Sequence, residues 1–403
     1  MTARALTPVD LSDAELYTED RWREPFARLR AEAPVSWRED SAYGGYWSVV
    51  SHELIQAVEL DPETWSSQIG NITIADGVAG QEFPNFIAMD PPRHTEQRRV
   101  VAAAFTPSQM AKREQQVRAR TKELFDALPV GETFDWVDRV SVPVTIAMLA
   151  IVLDFPWGER MNLRKWSDMA SNVSPEVMNE DYSAQFFAEM GLMLARFDEL
   201  LEARRQQEPA DDLLSRMIHS EAMGNLTALE RIANIALLIV GGNDTTRNSI
   251  SGFIEAAHKF PSELERLRAD PSLIPNAAQE IIRWQSPVTH MRRTMTRDVA
   301  LGGQQLKEGE KVVLWYLAAN RDEAVFADAE RFDVGRENAR RHLGFGHGIH
   351  RCVGARLAEI QICTVIEEII QRGWRIVPQE GPTRLASPFL HGITAYPVRI
   401  EAA

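Results

Sequence analysis

Cysteine is nearly absent from this chain: among 403 residues only Cys352 and Cys363 occur. Two thiols cannot make a disulfide framework, which suits a reducing cytoplasm. Long apolar runs are missing as well. The longest fully apolar run near the middle, Ile235 to Val240, falls far short of the ~20 residues that cross a bilayer. The first residues, Met1-Thr2-Ala3-Arg4-Ala5, lack the apolar stretch of a secretory signal. No Ser/Gly-rich linker, repeat or low-complexity segment divides the chain, so one domain over residues 1–403 is expected. Positive charge is in deficit, with 44 Lys and Arg against 58 Asp and Glu and a net charge of −14. Such a balance disfavours nucleic acid as a partner.

Helical periodicity dominates what is present. The pattern predicts helices over Pro92–Phe105, Pro107–Leu128, Val142–Leu153, Gly158–Ala170, Ala184–Gln207, Asp212–Ser220, Thr227–Phe260, Pro261–Ala269, Asn276–Gln285 and Val353–Arg372. Thr227 followed by Glu230 reads as a capping box opening the longest of them. Strand signals gather towards the two ends of the sequence, at about residues 35–60, 286–335 and 373–400. Tyr46-Trp47-Ser48-Val49-Val50 reads as a strand, and Asp298 to Leu317 as a hairpin turning at Gly302-Gly303 and Glu308-Gly309. A mainly α protein with a small β-rich region is expected.

The stretch Phe345-Gly346-His347-Gly348-Ile349-His350-Arg351-Cys352-Val353-Gly354 places one of the two cysteines in a glycine-rich loop that runs into a helix. A sulfur there lies near the positive end of the helix dipole, where free N–H groups can stabilise a thiolate. A buried structural cysteine, or a zinc site built from His347, His350 and Cys352, are the competing readings of the loop. Cys363, in an apolar helical run, reads as core. Six arginines (Arg331, Arg336, Arg340, Arg341, Arg351 and Arg356) against Asp333 and Glu337 surround Cys352. This basic region on an acidic protein would steer an acidic partner unless its members serve structure or bind carboxylates.

A second constellation interrupts the longest helix: Gly241-Gly242-Asn243-Asp244-Thr245-Thr246. Each interior glycine costs about 1 kcal/mol against alanine, so the pair must serve a close approach or a kink. Asp244 and Thr245 place an acid and a hydroxyl at that gap. In a third, Asp90-Pro91-Pro92-Arg93-His94, Asp90 marks a helix start, and His94 and Arg98 share one helix face at i and i+4. The fourth, Glu280-Ile281-Ile282-Arg283, is by itself an ordinary i,i+3 ion pair.

Together the F-x-x-G-x-x-x-C-x-G spacing of Phe345, Gly348, Cys352 and Gly354 and these companion motifs resemble the cytochrome P450 family, over about residues 22–400. The resemblance implies the P450 fold and haem b with Cys352 as axial thiolate, a ligand that favours O–O cleavage with O2 as co-substrate. It implies that Asp244 and Thr245 serve oxygen activation, with Gly241 and Phe345 beside the cofactor. His94, Arg98, Arg293 and His350 would hold the haem propionates, and Glu280, Arg283 and Arg336 would form a structural network. Electrons would come from a separate ferredoxin and its NAD(P)H-dependent reductase. Segments around Phe86–Pro92, Leu238–Ser249 and Glu280–Arg293 resemble the bacterial alkane and fatty-acid terminal hydroxylases known as family 153. An apolar pocket of Leu238, Ile74, Phe83, Phe86, Val288, Met291 and Leu390 is the expectation that follows. Within the family a steroid or terpene hydroxylase is the alternative, and outside catalysis a haem- or zinc-binding protein.

Overall fold

A computed structural model of the chain describes residues 9–76, 84–171 and 180–402. Its axis is the helix Ala228–Lys259, whose first turn carries the capping box between Thr227 and Glu230. At ~1.5 Å per residue it runs roughly 48 Å, and it is buried over much of its length because helices surround it. Val142–Leu153, Met161–Ser171, Ile274–Gln285 and Ala355–Gln371 all pack on it. Val142–Leu153 is buried almost throughout, as an element enclosed on all sides must be. One large apolar cluster fills this helical body, and two smaller ones lie under the sheet and under the N-terminal segment.

The main sheet has five strands in the order Val35–Arg38, Tyr46–Val49, Lys311–Leu314, Met291–Met295 and Trp65–Ser66. Tyr46–Val49 runs parallel to Lys311–Leu314, with Trp47 opposite Val312, while the other pairings are antiparallel. Smaller sheets join Thr133–Asp135, Pro397–Glu401 and Arg375–Pro378, and Thr383–Arg384 with Ile393–Ala395. The architecture is the mainly helical body with a small β-rich region expected from periodicity.

Three expectations change. Asp298–Leu317 is not one hairpin: Val299–Leu301 turns back on Gln304–Leu306, and Lys311–Leu314 leaves to enter the main sheet. Its four residues are all buried, so they satisfy their backbone between two neighbours rather than at an edge. Asp90 does not cap the helix Arg93–Ala102. Its carboxylate accepts instead from the Ser67 N–H at 2.9 Å and the Ser66 hydroxyl at 2.5 Å. The segments Arg23–Glu32, His52–Glu59 and Tyr316–Ala319 are helical although no periodic run announced them. They are short, and tertiary burial of Phe26, Leu29, Ile55 and Val58 stabilises what propensity leaves marginal.

Candidate active site

The loop before Ala355–Gln371 presents Cys352. The Cys352 N–H donates to the Phe345 carbonyl at 2.7 Å, closing the loop on itself. Gly348 has φ +60°, and a Cβ there would lie 2.1 Å from the Glu59 carbonyl oxygen, so only glycine passes. Cys352 is accessible although dense protein surrounds its sulfur. That burial pushes the thiol above its ordinary value, against the Gly354 N–H and the charges of Arg98 and Arg351, which pull it down.

What holds the loop is buried and charged. Arg283 makes two hydrogen bonds to Glu280, at 2.7 and 2.8 Å, and donates to the carbonyls of Asn320, Ala329 and Arg331. Arg336 donates to the same Glu280 at 3.0 Å, and neither Glu280 nor Arg283 has exposed surface. Placed in the interior rather than on a helix surface, this trio is a paired, fully hydrogen-bonded charge network. Asn320 carries the support onward, its Oδ1 accepting the Leu343 N–H at 2.7 Å. Next in line, His342 Nδ1 accepts the Gly344 N–H at 3.0 Å, so its Nε2–H donates to Gln279 at 3.2 Å. Burial holds His342 neutral, its value pushed down to about 3. Sequence reasoning missed Asn320 and His342; the position of His342 just ahead of the glycine-rich run was its only signal.

Four basic side chains converge beside the loop. The rings of His94 and His350 lie 4.2 Å apart between centroids, and Arg98 and Arg293 act on both electrostatically. Arg98 donates to the Arg351 carbonyl. Desolvation first, then these cations, lower His94 to about 4 and His350 to about 2. Both rings are therefore neutral. Neither nitrogen of buried His94 nor Nδ1 of His350 has a hydrogen-bond partner in the protein, an arrangement that costs roughly 1–3 kcal/mol per group. A cleft of about 320 Å³ opens here, lined by His94, Thr95, Arg98, Arg99, Ala102 and Ile349. Imidazoles with unpartnered nitrogens, His350 tied by Nε2 to the Ser67 hydroxyl at 3.1 Å, set between guanidinium groups suit a ligand with carboxylates, and haem propionates fit them. The zinc alternative fails: among the described residues no group of three His, Cys, Asp or Glu side chains is placed to hold a metal ion.

The central helix passes its glycines without a break, and the two have different reasons. A Cβ on Gly242 would sit 2.7 Å from Leu149 Cδ1, whereas one on Gly241 would meet nothing within 4 Å. Gly242 thus admits the neighbouring helix, and Gly241 leaves open space. Leu237, Gly241 and Thr245, at i, i+4 and i+8, form an accessible stripe between buried Leu238, Ile239, Asn243 and Asp244. The Thr245 hydroxyl donates back to the Gly241 carbonyl at 3.1 Å.

Asp244 points away from that stripe. Fully buried, its carboxylate accepts from the Ser171 hydroxyl, from Asn243 at 3.1 Å and from Arg247 at 3.0 Å. Arg247 also reaches Asp168 at 2.6 Å, and Asp168 is 43% exposed. The chain Asp244, Arg247, Asp168 therefore leads from the interior to solvent. Burial raises Asp244 to about 6, the opposing pull of Arg247 being smaller. Ser167, Asp168 and Ser171 were not singled out from sequence, and Arg247 was noted only as part of the Leu238–Ser249 segment. They come from a separate helix or sit off the motif, so only folding gathers them.

The expected pocket is redistributed. Ile74 is 2% exposed and packs in the N-terminal cluster with Trp22, Phe26 and Trp315, so it is core. Its backbone N–H donates to His290 Nε2 at 3.1 Å, which pins the segment. Leu238 belongs to the main core, one position off the accessible stripe. Two turns back from Thr245, about 7.2 residues, falls nearest Leu238, and part-buried Leu237 beside it packs against the same cluster. Phe86 is also buried in the main cluster. Val288 and Leu390 meet across an isolated β-bridge, Val288 and Met291 are part-exposed, and Phe83 lies outside the described residues.

A glycine-framed cysteine at the head of a buried helix, a propionate-like cradle beside it and a helix opened by glycine define a class, and comparison with known proteins supplies the same one. The cytochrome P450 family model matches residues 266–390. Linalool 8-monooxygenase of Pseudomonas putida is 37% identical over 401 residues, covering 95% of this chain and 97% of its own. The chain belongs to the cytochrome P450 family and is an oxidoreductase; membership implies haem with thiolate ligation and the use of O2. Methyl-branched lipid omega-hydroxylase of Mycobacterium tuberculosis is 33% identical over 411 residues, covering 97% of this chain and 95% of its own. Among solved structures, cytochrome P450-153 from Novosphingobium aromaticivorans superposes with a TM-score of 0.92 at 48% identity, covering 97% and 99% of the two chains. CYP153D17 from Sphingomonas sp. PAMC 26605 gives 0.92 at 50% identity, covering 97% and 98%. Among the described residues no helix is long and apolar enough to cross a membrane.

Proposed function

We propose that this protein is a haem-thiolate monooxygenase that hydroxylates the terminal carbon of medium-chain n-alkanes or fatty acids. The observation that carries the reading is the 48–50% identity to two family-153 structures over nearly the whole chain. It is joined by an accessible helix stripe that is aliphatic and small apart from Thr245. Haem b, when bound, supplies the activation of O2, with the Cys352 thiolate donating electron density to iron. His94, Arg98, Arg293 and His350 hold its propionates through charge-assisted hydrogen bonds, and Phe345 packs beside it. Gly241 keeps space for the diatomic ligand. The Thr245 hydroxyl gives its one proton to the Gly241 carbonyl and so offers its oxygen as an acceptor towards that space, and Asp244, on turning from its partner Arg247, is the acid that supplies a proton there.

Ordinary acids deliver protons poorly at neutral pH because little of the protonated form remains. Raised to about 6, Asp244 carries a proton closer to the operating pH. The reductant is proposed to be a ferredoxin, kept reduced by an NAD(P)H-dependent reductase in the cytoplasm. Exposed Arg340, Arg341, Arg351 and Arg356 around the cysteine loop suit its acidic surface. A second substrate reading, an acyclic terpene alcohol, is favoured by the likeness to the linalool 8-monooxygenase.

One experiment separates these readings. The ferric protein is titrated with n-alkanes, fatty acids and linalool, and turnover with a ferredoxin pair is analysed by mass spectrometry. Terminal alcohols from the alkane or fatty-acid series support the proposal. Turnover confined to linalool replaces it with the terpene reading, and a reduced CO spectrum without a thiolate-type Soret band overturns both.

A further inference from the structure

Glu59 is a buried acid that nothing above has used. It ends the helix His52–Glu59, and its carboxyl lies inside the protein, 1% exposed. Three separate elements meet it. The Tyr316 hydroxyl donates to Oε1 at 2.5 Å, and Arg293 Nη2 donates to the same oxygen at 3.4 Å. The His347 backbone N–H, from the cysteine loop, lies near enough to lower its value without completing a hydrogen bond. Its other oxygen, Oε2, has no partner in the protein. The Glu59 carbonyl, for its part, is the atom that forces residue 348 to be glycine.

Burying an acid with one oxygen unpaired is costly, and the position invites a reason. Arg293 has few anchors besides Glu59: its Nη1 donates to the Arg292 carbonyl at 2.8 Å. Tyr316 is fully buried and its phenol raised well above the ordinary value, so it is a neutral donor that fixes Oε1 where Arg293 meets it.

We infer that Glu59 and Tyr316 are positioning residues that hold the Arg293 guanidinium from behind, aim it at a haem propionate, and place a negative charge that tunes the reduction potential of the iron. The inference rests on the haem reading above. The carboxylate offsets part of the Arg293 charge. With it gone, an unbalanced cation beside the cofactor favours the reduced, more negative state. Desolvation lifts Glu59 to about 7, with Arg293 as the main opposing pull, so the comparison belongs at pH 8, where it is largely ionised.

The test uses the haem-loaded full chain and its Glu59→Gln and Tyr316→Phe variants. Two quantities are measured: the midpoint potential by optical titration at pH 8, and the rate of haem transfer to an acceptor globin. Glu59→Gln is expected to raise the potential, by up to about tenfold in the reduction equilibrium constant, which is about 59 mV for one electron. It is also expected to speed haem loss severalfold. Tyr316→Phe keeps the charge, so it speeds haem loss with a smaller change in potential. A Glu59→Gln protein with a normal thiolate Soret band and the wild-type potential overturns the inference. Should that variant yield no haem-loaded protein, a wild-type rate of haem loss in Tyr316→Phe overturns it instead. A wild-type protein lacking the thiolate Soret band removes the haem reading itself, a separate failure.

Discussion

Around Cys352 the backbone is held by buried polar groups: Glu280, Arg283 and Arg336 beneath, Asn320 and His342 on the approach, Glu59 against Gly348. Around Thr245 the accessible surface is Leu237, Gly241 and a single hydroxyl, and the polar side chains of that region, Asp244 and Asn243, turn away to meet Ser167 and Ser171. One side of the site is over-determined by directional bonds. The other is shaped by apolar packing, which tolerates volume-conserving apolar swaps at modest cost. A fold can thus keep the ligand to its metal fixed while the surface facing the substrate varies.

The comparison is most severely tested at Cys352 itself. Cys352→Ser is expected to abolish the thiolate-type Soret band of the reduced CO complex, and with it turnover; retention of that band would remove Cys352 from the metal. Next in size is Arg283→Ala, which takes the donor from the buried Asn320 and Ala329 carbonyls and leaves Glu280 with Arg336 as its one cation. Breaking a buried pair in this way costs about 3–5 kcal/mol. Urea unfolding should show that loss, and an exposed-pair value below about 1 kcal/mol would mean that the network is not a unit.

On the other side, Thr245→Ala should leave haem binding and substrate affinity intact while product formed per NADH falls several-fold and hydrogen peroxide rises. Asp244→Asn should remove an inflection near pH 6 from the same coupling profile, since the native acid is protonated below that value and ionised above it. Coupling that matches wild type in both variants would detach this helix segment from oxygen chemistry.

Leu237 and Leu238 sharpen the boundary between pocket and core. Leu237→Ala should shift the ratio of terminal to subterminal product about five- to tenfold, the scale of a small change in an apolar pocket. Leu238→Ala should leave the ratio alone and lower stability by about 2–5 kcal/mol. The reverse pattern would restore Leu238 to the pocket.

The smallest effect is with pH. His290, His342 and His391 are buried and lowered to about 3, 3 and 4. Their contribution is fully present above the ordinary value of 6.5 and is lost as pH falls towards 4, because the unfolded chain takes up protons that the fold refuses. Glu59 and Asp244, raised by burial, act in the opposite sense, losing stability as pH rises towards 7 and 6. The melting temperature should therefore fall between pH 6.5 and 4.5, and His342→Asn, which keeps an acceptor for Gly344, should flatten the decline. An unchanged slope would place the acid sensitivity elsewhere.

Much of this was legible in the linear order of residues. Glycine spacing around Cys352, the Thr227 capping box, the i,i+4 pair His94 and Arg98, and the Gly-Gly-Asn-Asp-Thr-Thr run are local patterns, and local patterns are set by backbone geometry over a few residues. Helices long enough to show several turns were readable within a few residues at each end. Short helices such as His52–Glu59 were not, because packing, rather than propensity, stabilises them. Nor was the fate of Lys311–Leu314, whose partners lie far away in sequence.

Tertiary structure alone decided which side of each helix was pocket and which was core. Helical periodicity names a face but not what covers it: Leu238 and Ile74, expected as pocket walls, lie in buried apolar clusters, while Leu237 next to Leu238 is part-exposed. The same holds for charge. Glu280 with Arg283 looks in sequence like any exposed pair, and Glu59 like any surface acid. Burial, which sums contributions from segments hundreds of residues apart, is what turned the first into the support of the cysteine loop and the second into a partner of Arg293. The sequence by itself determined the chemistry available at Cys352 and Thr245, and only the folded chain decided which distant side chains would act on it.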